Sequence, residues 1–120
     1  MNEAIGEKGQ ELGRLLGQTD EYKALDRARK RVDEERDLVE LLNRLGELEE
    51  TVARAMQKGE QPDEATRDAY EEAFGQLQGH AAYQGLVAAQ ANFDRLMGRV
   101  NEAIGKGIAS GAQSRIIFPS

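Results

Sequence analysis

Over residues 19–58 apolar side chains return every three to four positions, without a proline and with Gly46 as the one glycine. That spacing belongs to an amphipathic helix, not to the alternation of a strand. A single helix of this length is roughly 57 Å long, while a compact domain of this size is about 35 Å across. Unless the helix bends or breaks, its projecting half has to bury its apolar stripe against a second copy or another protein. Leu25, Ala28, Val32, Val39 and Leu42 form one stripe. Leu38, Leu41, Leu45, Leu48, Val52 and Ala55 form another, and the two overlap at residues 38–42. A stripe that wide can face two neighbours at once, expected here to be the chain's own later helix and a partner subunit.

Around this segment the pattern predicts three further helices. The first runs from about Asn2, a good N-cap, to Leu16, with Ile5, Leu12, Leu15 and Leu16 on one side and Gly6, Gly9, Gly13 and Gly17 beside them. Each interior glycine costs about 1 kcal/mol relative to alanine, so this helix is expected to form only when docked. It is either a smooth ridge for close helix approach or a frayed arm. Thr19 or Asp20 caps the long helix, Gly59 ends it, and Pro62 begins the next. The third helix spans 63–78 with Ala69, Ala73, Phe74 and Leu77 inward. Gly79 and His80 make a joint, and a fourth helix spans 81–109 with Leu86, Phe93, Met97, Val100 and Ile104 in heptad register. Gln90 falls in that seam, either fixing register as a buried polar residue or lying at its edge.

The expected organisation is a single all-helical domain over 1–109 followed by a tail over 110–120. In that tail Ile116, Ile117 and Phe118 either dock on a neighbouring helix or stay free. The expected fold class is all-α: a long helical hairpin with short flanking helices, in an oligomeric helix bundle. The expected interface with a copy or partner comprises Leu38, Leu41, Leu42, Leu45, Leu48, Val52, Gln90, Phe93, Met97, Val100 and Ile104. The string Asn2-Glu3-Ala4-Ile5-Gly6 recurs at Asn101-Glu102-Ala103-Ile104-Gly105. Its flanks do not match, so it reads as coincidence and not as a structural repeat.

Composition narrows the chemistry. The formal net charge of −6 disfavours a phosphate backbone at long range. The absence of cysteine excludes disulfides, thiolate nucleophiles and cysteine-ligated metal centres. No segment approaches the roughly 20 apolar residues of a membrane span, and a cytoplasmic location without membrane insertion is expected. The one histidine, His80, has no carboxylate nearby in the chain at metal-ligand spacing, and the Ser and Thr residues have no base in a recognisable arrangement. The expectation is therefore a protein that is not an enzyme, with no catalytic residues, metal or cofactor. Arg27, Arg29, Lys30 and Arg31 are the sole basic cluster. They spread over much of a helix circumference among Asp26, Asp33, Glu34 and Glu35, which favours ion pairs within the helix. RNA contact through this patch is the alternative function.

The segment LGRLLGQTDEYKALDRARKRVDEE from Leu12, the Gly59 loop, and AYQGLVAAQANFDRLMGRVNEAIGKGI from Ala82 together resemble the YlbF/YmcA family of small bacterial all-helical regulators. The features that carry the resemblance are Asp20-Glu21-Tyr22-Lys23 at a helix start, Gln90 followed by Phe93, and Val100-Asn101 with Ile104. The resemblance implies an oligomeric, non-enzymatic regulatory adaptor. Its best-known relatives assemble with one another and with a further protein, as accessory factors for the membrane-anchored ribonuclease that starts messenger RNA processing. Their loss impairs competence, sporulation and biofilm formation. Some relatives carry cysteines implicated in binding iron–sulfur clusters, which this chain lacks, and the cysteine-free YheA-like branch is the nearer comparison. The partners implied are a second copy, in a dimer or tetramer, a related helical protein, or a ribonuclease complex.

Overall fold

The computed structural model describes residues 2–117, with side-chain surroundings given through residue 113. Among the described residues there are five helices and no strand: α1 (Glu3–Gly17), α2 (Asp20–Glu34), α3 (Arg36–Gln57), α4 (Glu64–Gly79) and α5 (Ala81–Ile117). Local chemistry sets their ends. The Ala4 N–H donates to the Asn2 side chain at 2.8 Å, the Tyr22 N–H to Thr19 Oγ1 at 3.1 Å and the Thr66 N–H to Asp63 at 2.8 Å, each satisfying an orphan donor of a first turn. Thr19 also donates its hydroxyl to the Leu16 carbonyl at 2.7 Å, which ties the end of α1 to the start of α2. At the end of α3, Gly59 adopts φ +74°, so that the Glu60 N–H reaches the Ala55 carbonyl (2.9 Å) and the Gly59 N–H the Met56 carbonyl (3.0 Å). A left-handed residue is what this closure of a helix end requires.

The forty-residue helix expected from the pattern is broken. Glu35 is extended (φ −91°, ψ 96°), its N–H bonds back to Val32, and its carbonyl accepts from Val39 as α3 begins. Neither glycine nor proline marks the break. Its physical reason lies in the two stripes: α2 packs along α5, while α3 packs along α4. His80 supplies a second extended joint, between α4 and α5, opposite the first. Within the chain the wide stripe thus meets two helices, α5 along α2 and α4 along α3.

The core is small and lies beside the two joints. Val32, Leu38, Leu45, Ala73, Leu77 and Ala82 form one buried cluster, with Leu41, Leu42, Leu48, Tyr70, Tyr83 and Leu86 partly buried against it. Leu25 and Ala89 are buried farther along the α2 and α5 pair. Phe74, expected inward, instead stacks on Tyr70 near the surface with ring centroids 6.0 Å apart.

The ends are another matter. α1 has no buried residue. α5 runs on to Ile117, past the turn formers near Ser110, and from residue 101 to 113 every side chain is exposed. The expected docking of Ile116, Ile117 and Phe118 lies outside the residues whose side chains are described. The radius of gyration is 21.7 Å and the long axis 70 Å, against about 14 Å expected for a compact chain of this length.

Candidate partner-binding surface

Three regions carry the side chains that the sequence singles out. The first is the α2 and α5 seam. Phe93 meets Tyr22 edge to face, with centroids 5.7 Å apart and planes at 66°, a favourable geometry for two aromatic quadrupoles. Met97 and Val100 are half-buried on the same helix, and Ile104, just beyond the cover of α2, is 47% exposed. Gln90 lies at the edge of the seam, where its amide donates to Asp94 one turn on at 2.9 Å.

The second region is the α3 and α4 pair. Leu38 is 0% exposed and Leu45 is buried with it in the core. Both belong to the chain's own packing. Leu41, Leu42 and Leu48 are half-buried against the same cluster. Val52, half-buried like them, lines a groove of about 410 Å³. That groove is floored by Val52, Ala53, Met56, Pro62 and Tyr70 and rimmed by Glu49, Arg67 and Glu71. Met56, 67% exposed, was not singled out by the sequence pattern, because one methionine after Ala55 reads as the end of a stripe. The Tyr70 hydroxyl donates to Glu49 at 3.4 Å across the groove.

The third region is the double joint. His80 Nε2 lies 3.2 Å from Asp37 Oδ2, and the Ala82 N–H donates to His80 Nδ1 at 3.2 Å. In the neutral ring an accepting Nδ1 leaves the proton on Nε2, aimed at Asp37. The joint between α4 and α5 is thereby tied to the first turn of α3. Glu35, Asp37 and His80 bring their ligand atoms within 4.8 Å of one another. A cation at Nε2 would have to displace the proton that the Ala82 contact places there, so the donor set suits an interhelical tie better than a metal ion. Asp37 stands 43 residues from His80, a meeting that local spacing does not reveal.

Arg27, Arg29, Lys30 and Arg31 are all exposed and are not gathered on one face. Lys30 pairs with Asp26 at 2.9 Å, and that hydrogen bond and charge raise its pKa above the ordinary lysine value. Arg29 borders a shallow depression on α5 beside Leu86 and Gln90. Among the described residues no helix is long and apolar enough to cross a membrane.

The geometry defines an all-helical scaffold with a small core at a double joint and uncovered apolar faces at its extremities. The chain belongs to the family described as control of competence regulator ComK, YlbF/YmcA, which matches it over residues 5–109. No curated protein matches it in sequence. Among solved structures it is similar in fold to Bacillus subtilis RicA, crystallised in complex with RicF, at a TM-score of 0.76 and 13% identity, covering 93% of this chain and 99% of that one.

Proposed function

We propose that this protein is a non-enzymatic, cytoplasmic regulatory adaptor that self-associates and binds protein partners, as an accessory factor in RNA processing and developmental regulation. The observation that carries the reading is the surface the chain leaves uncovered. Its accessible area is 9323 Å², whereas a compact monomer of 13.2 kDa exposes about 6,400 Å². The excess is on the order of what an extensive protein interface buries. It includes large apolar side chains, Ile5, Leu15, Met56 and Ile108 among them, each more than half exposed. Membership of a family described by control of a competence regulator supports the regulatory part. RicA, similar in fold, was crystallised with a protein partner, which supports the adaptor part. The finer role, assistance to a ribonuclease complex, rests on the family resemblance.

Purification of the tagged chain from its own cells, with and without nuclease, tests the reading. A self-associated chain with a stoichiometric protein that survives nuclease is expected, an RNA-processing enzyme or a related helical protein in particular. A monomer with no accompanying protein would contradict it, and loss of every partner after nuclease would transfer the function to Arg27, Arg29, Lys30 and Arg31.

A further inference from the structure

We infer that the groove between α3 and α4 is a docking site for a segment of a different protein: an amphipathic helix with apolar anchors on one face and an excess of Lys and Arg beside them. This rests on the adaptor reading above and names the surface and the chemistry of the partner.

The groove has the shape and the floor that a helix needs. Residues 49, 52, 53 and 56 of α3 and residues 67, 70, 71 and 74 of α4 each follow the i, i+3, i+4, i+7 spacing of one helix face. Two such faces side by side leave a trough that takes the apolar stripe of a third helix. Val52, Ala53, Met56, Pro62 and Tyr70 floor it, and Phe74, stacked on Tyr70, prolongs the apolar strip by one turn. Met56 (67%) and Phe74 (38%) are the large apolar side chains that these two helices leave exposed, and both lie on this strip. Met56 is unbranched and polarisable, which suits it to moulding around an incoming side chain.

Charge selects the partner. Residues 36–79 carry eleven carboxylates and five cations, which is the whole of the chain's net charge of −6, while the remaining residues carry eleven of each and cancel. Every charged side chain of this hairpin is exposed. At the groove itself Glu49 and Glu71 stand on the rim against Arg67 alone, and Asp63 and Glu64 continue the same side of α4 toward its start. A negative field around an apolar strip draws in a cationic amphipathic segment and speeds its encounter. The same field repels a phosphate backbone. It also disfavours a second copy, whose own hairpin has the same sign and whose remaining residues have no net charge to offer.

The full-length chain, with the photoreactive residue benzoylphenylalanine in place of Met56, is irradiated in its own cells and the segment joined to it is sequenced. A segment of another protein is expected, with apolar residues at helical spacing and more Lys and Arg than Asp and Glu. A synthetic peptide of that sequence should bind the purified wild-type chain, and should bind the full-length Met56→Asp variant at least about tenfold more weakly. Glu49→Lys with Glu71→Lys, at exposed positions, should also weaken binding and flatten its dependence on salt, while the circular dichroism of the helices stays the same. A joined segment that is neutral or acidic, one that belongs to a second copy, or a peptide indifferent to these variants overturns this site. Absence of any cross-link from position 56, in a chain that still copurifies with a stoichiometric protein, overturns the site and leaves the adaptor reading in place. A wild-type chain that brings down no protein overturns the adaptor reading, and this site with it.

Discussion

The middle and the ends of this molecule are both helical, yet they are helical for different reasons. Around the double joint, Leu38, Leu45, Ala73 and Leu77 exclude water from one another, and the helices that carry them are held by burial. In α1 and in residues 101–113 the backbone is the same but no side chain is buried. The contrast teaches that a helix in the fold need not be stabilised by the chain that contains it. The middle supplies a scaffold, and the ends leave apolar surface that the proposed association would cover.

The largest effect expected from a single change is at the centre. Leu38→Ala removes a fully buried side chain and should cost about 2–5 kcal/mol in urea unfolding, whereas Ile5→Ala should change monomer stability by no more than about 0.5 kcal/mol. A comparable loss at both positions would erase the distinction between the regions.

Glycine to alanine changes sharpen it at intermediate size. Gly46 lies inside α3 with open space around its Cβ position, so Gly46→Ala should stabilise by about 0.5–1 kcal/mol. Gly59 has equal space but φ +74°, so Gly59→Ala should destabilise by about 1 kcal/mol or more. Thermal melts of the pair should therefore move in opposite directions.

The smallest effect is electrostatic. Hydrogen bonds from the Thr66 hydroxyl and backbone N–H, with the Arg67 charge nearby, hold the Asp63 carboxyl below its ordinary pKa. The folded state thus favours the ionised form. Its contribution is complete above the ordinary carboxylate pKa and is lost as pH falls through the lowered one. Asp63→Asn keeps a capping side chain and should make the melting temperature fall less steeply over that acid window; an unchanged slope would remove Asp63 from the account.

Much of the fold was legible because its signals are local. Asn2 read as a cap, Thr19 as one of two candidates with Asp20, Gly59 as a stop, and Gly79 with His80 as a joint, and each sits where its chemistry placed it, whereas Asp63, read as part of the third helix, is its cap. The break at Glu35 was not, because its cause is a difference in direction between two distant packing partners and not a helix breaker. The two overlapping stripes around residues 38–42 were its trace, read as room for another subunit. The candidate surface was less legible. Periodicity identifies apolar residues but not which are already used, so Leu38 and Leu45 looked the same as Ile104. The His80 and Asp37 tie depends on a meeting across 43 residues, which no spacing rule encodes. Met56 matters only because Pro62 and Tyr70 close a groove beside it.

The central claim is that the middle folds within one chain and the ends need a second. Amide hydrogen exchange of the full-length wild-type chain, followed over a range of protein concentrations, tests it most directly. The account expects the amides around Leu38, Leu45 and Leu77 to be protected at every concentration, and those of α1 and residues 101–113 only where the chain is associated. Ends as protected as the middle in the monomer, or still unprotected in the associated chain, would contradict it.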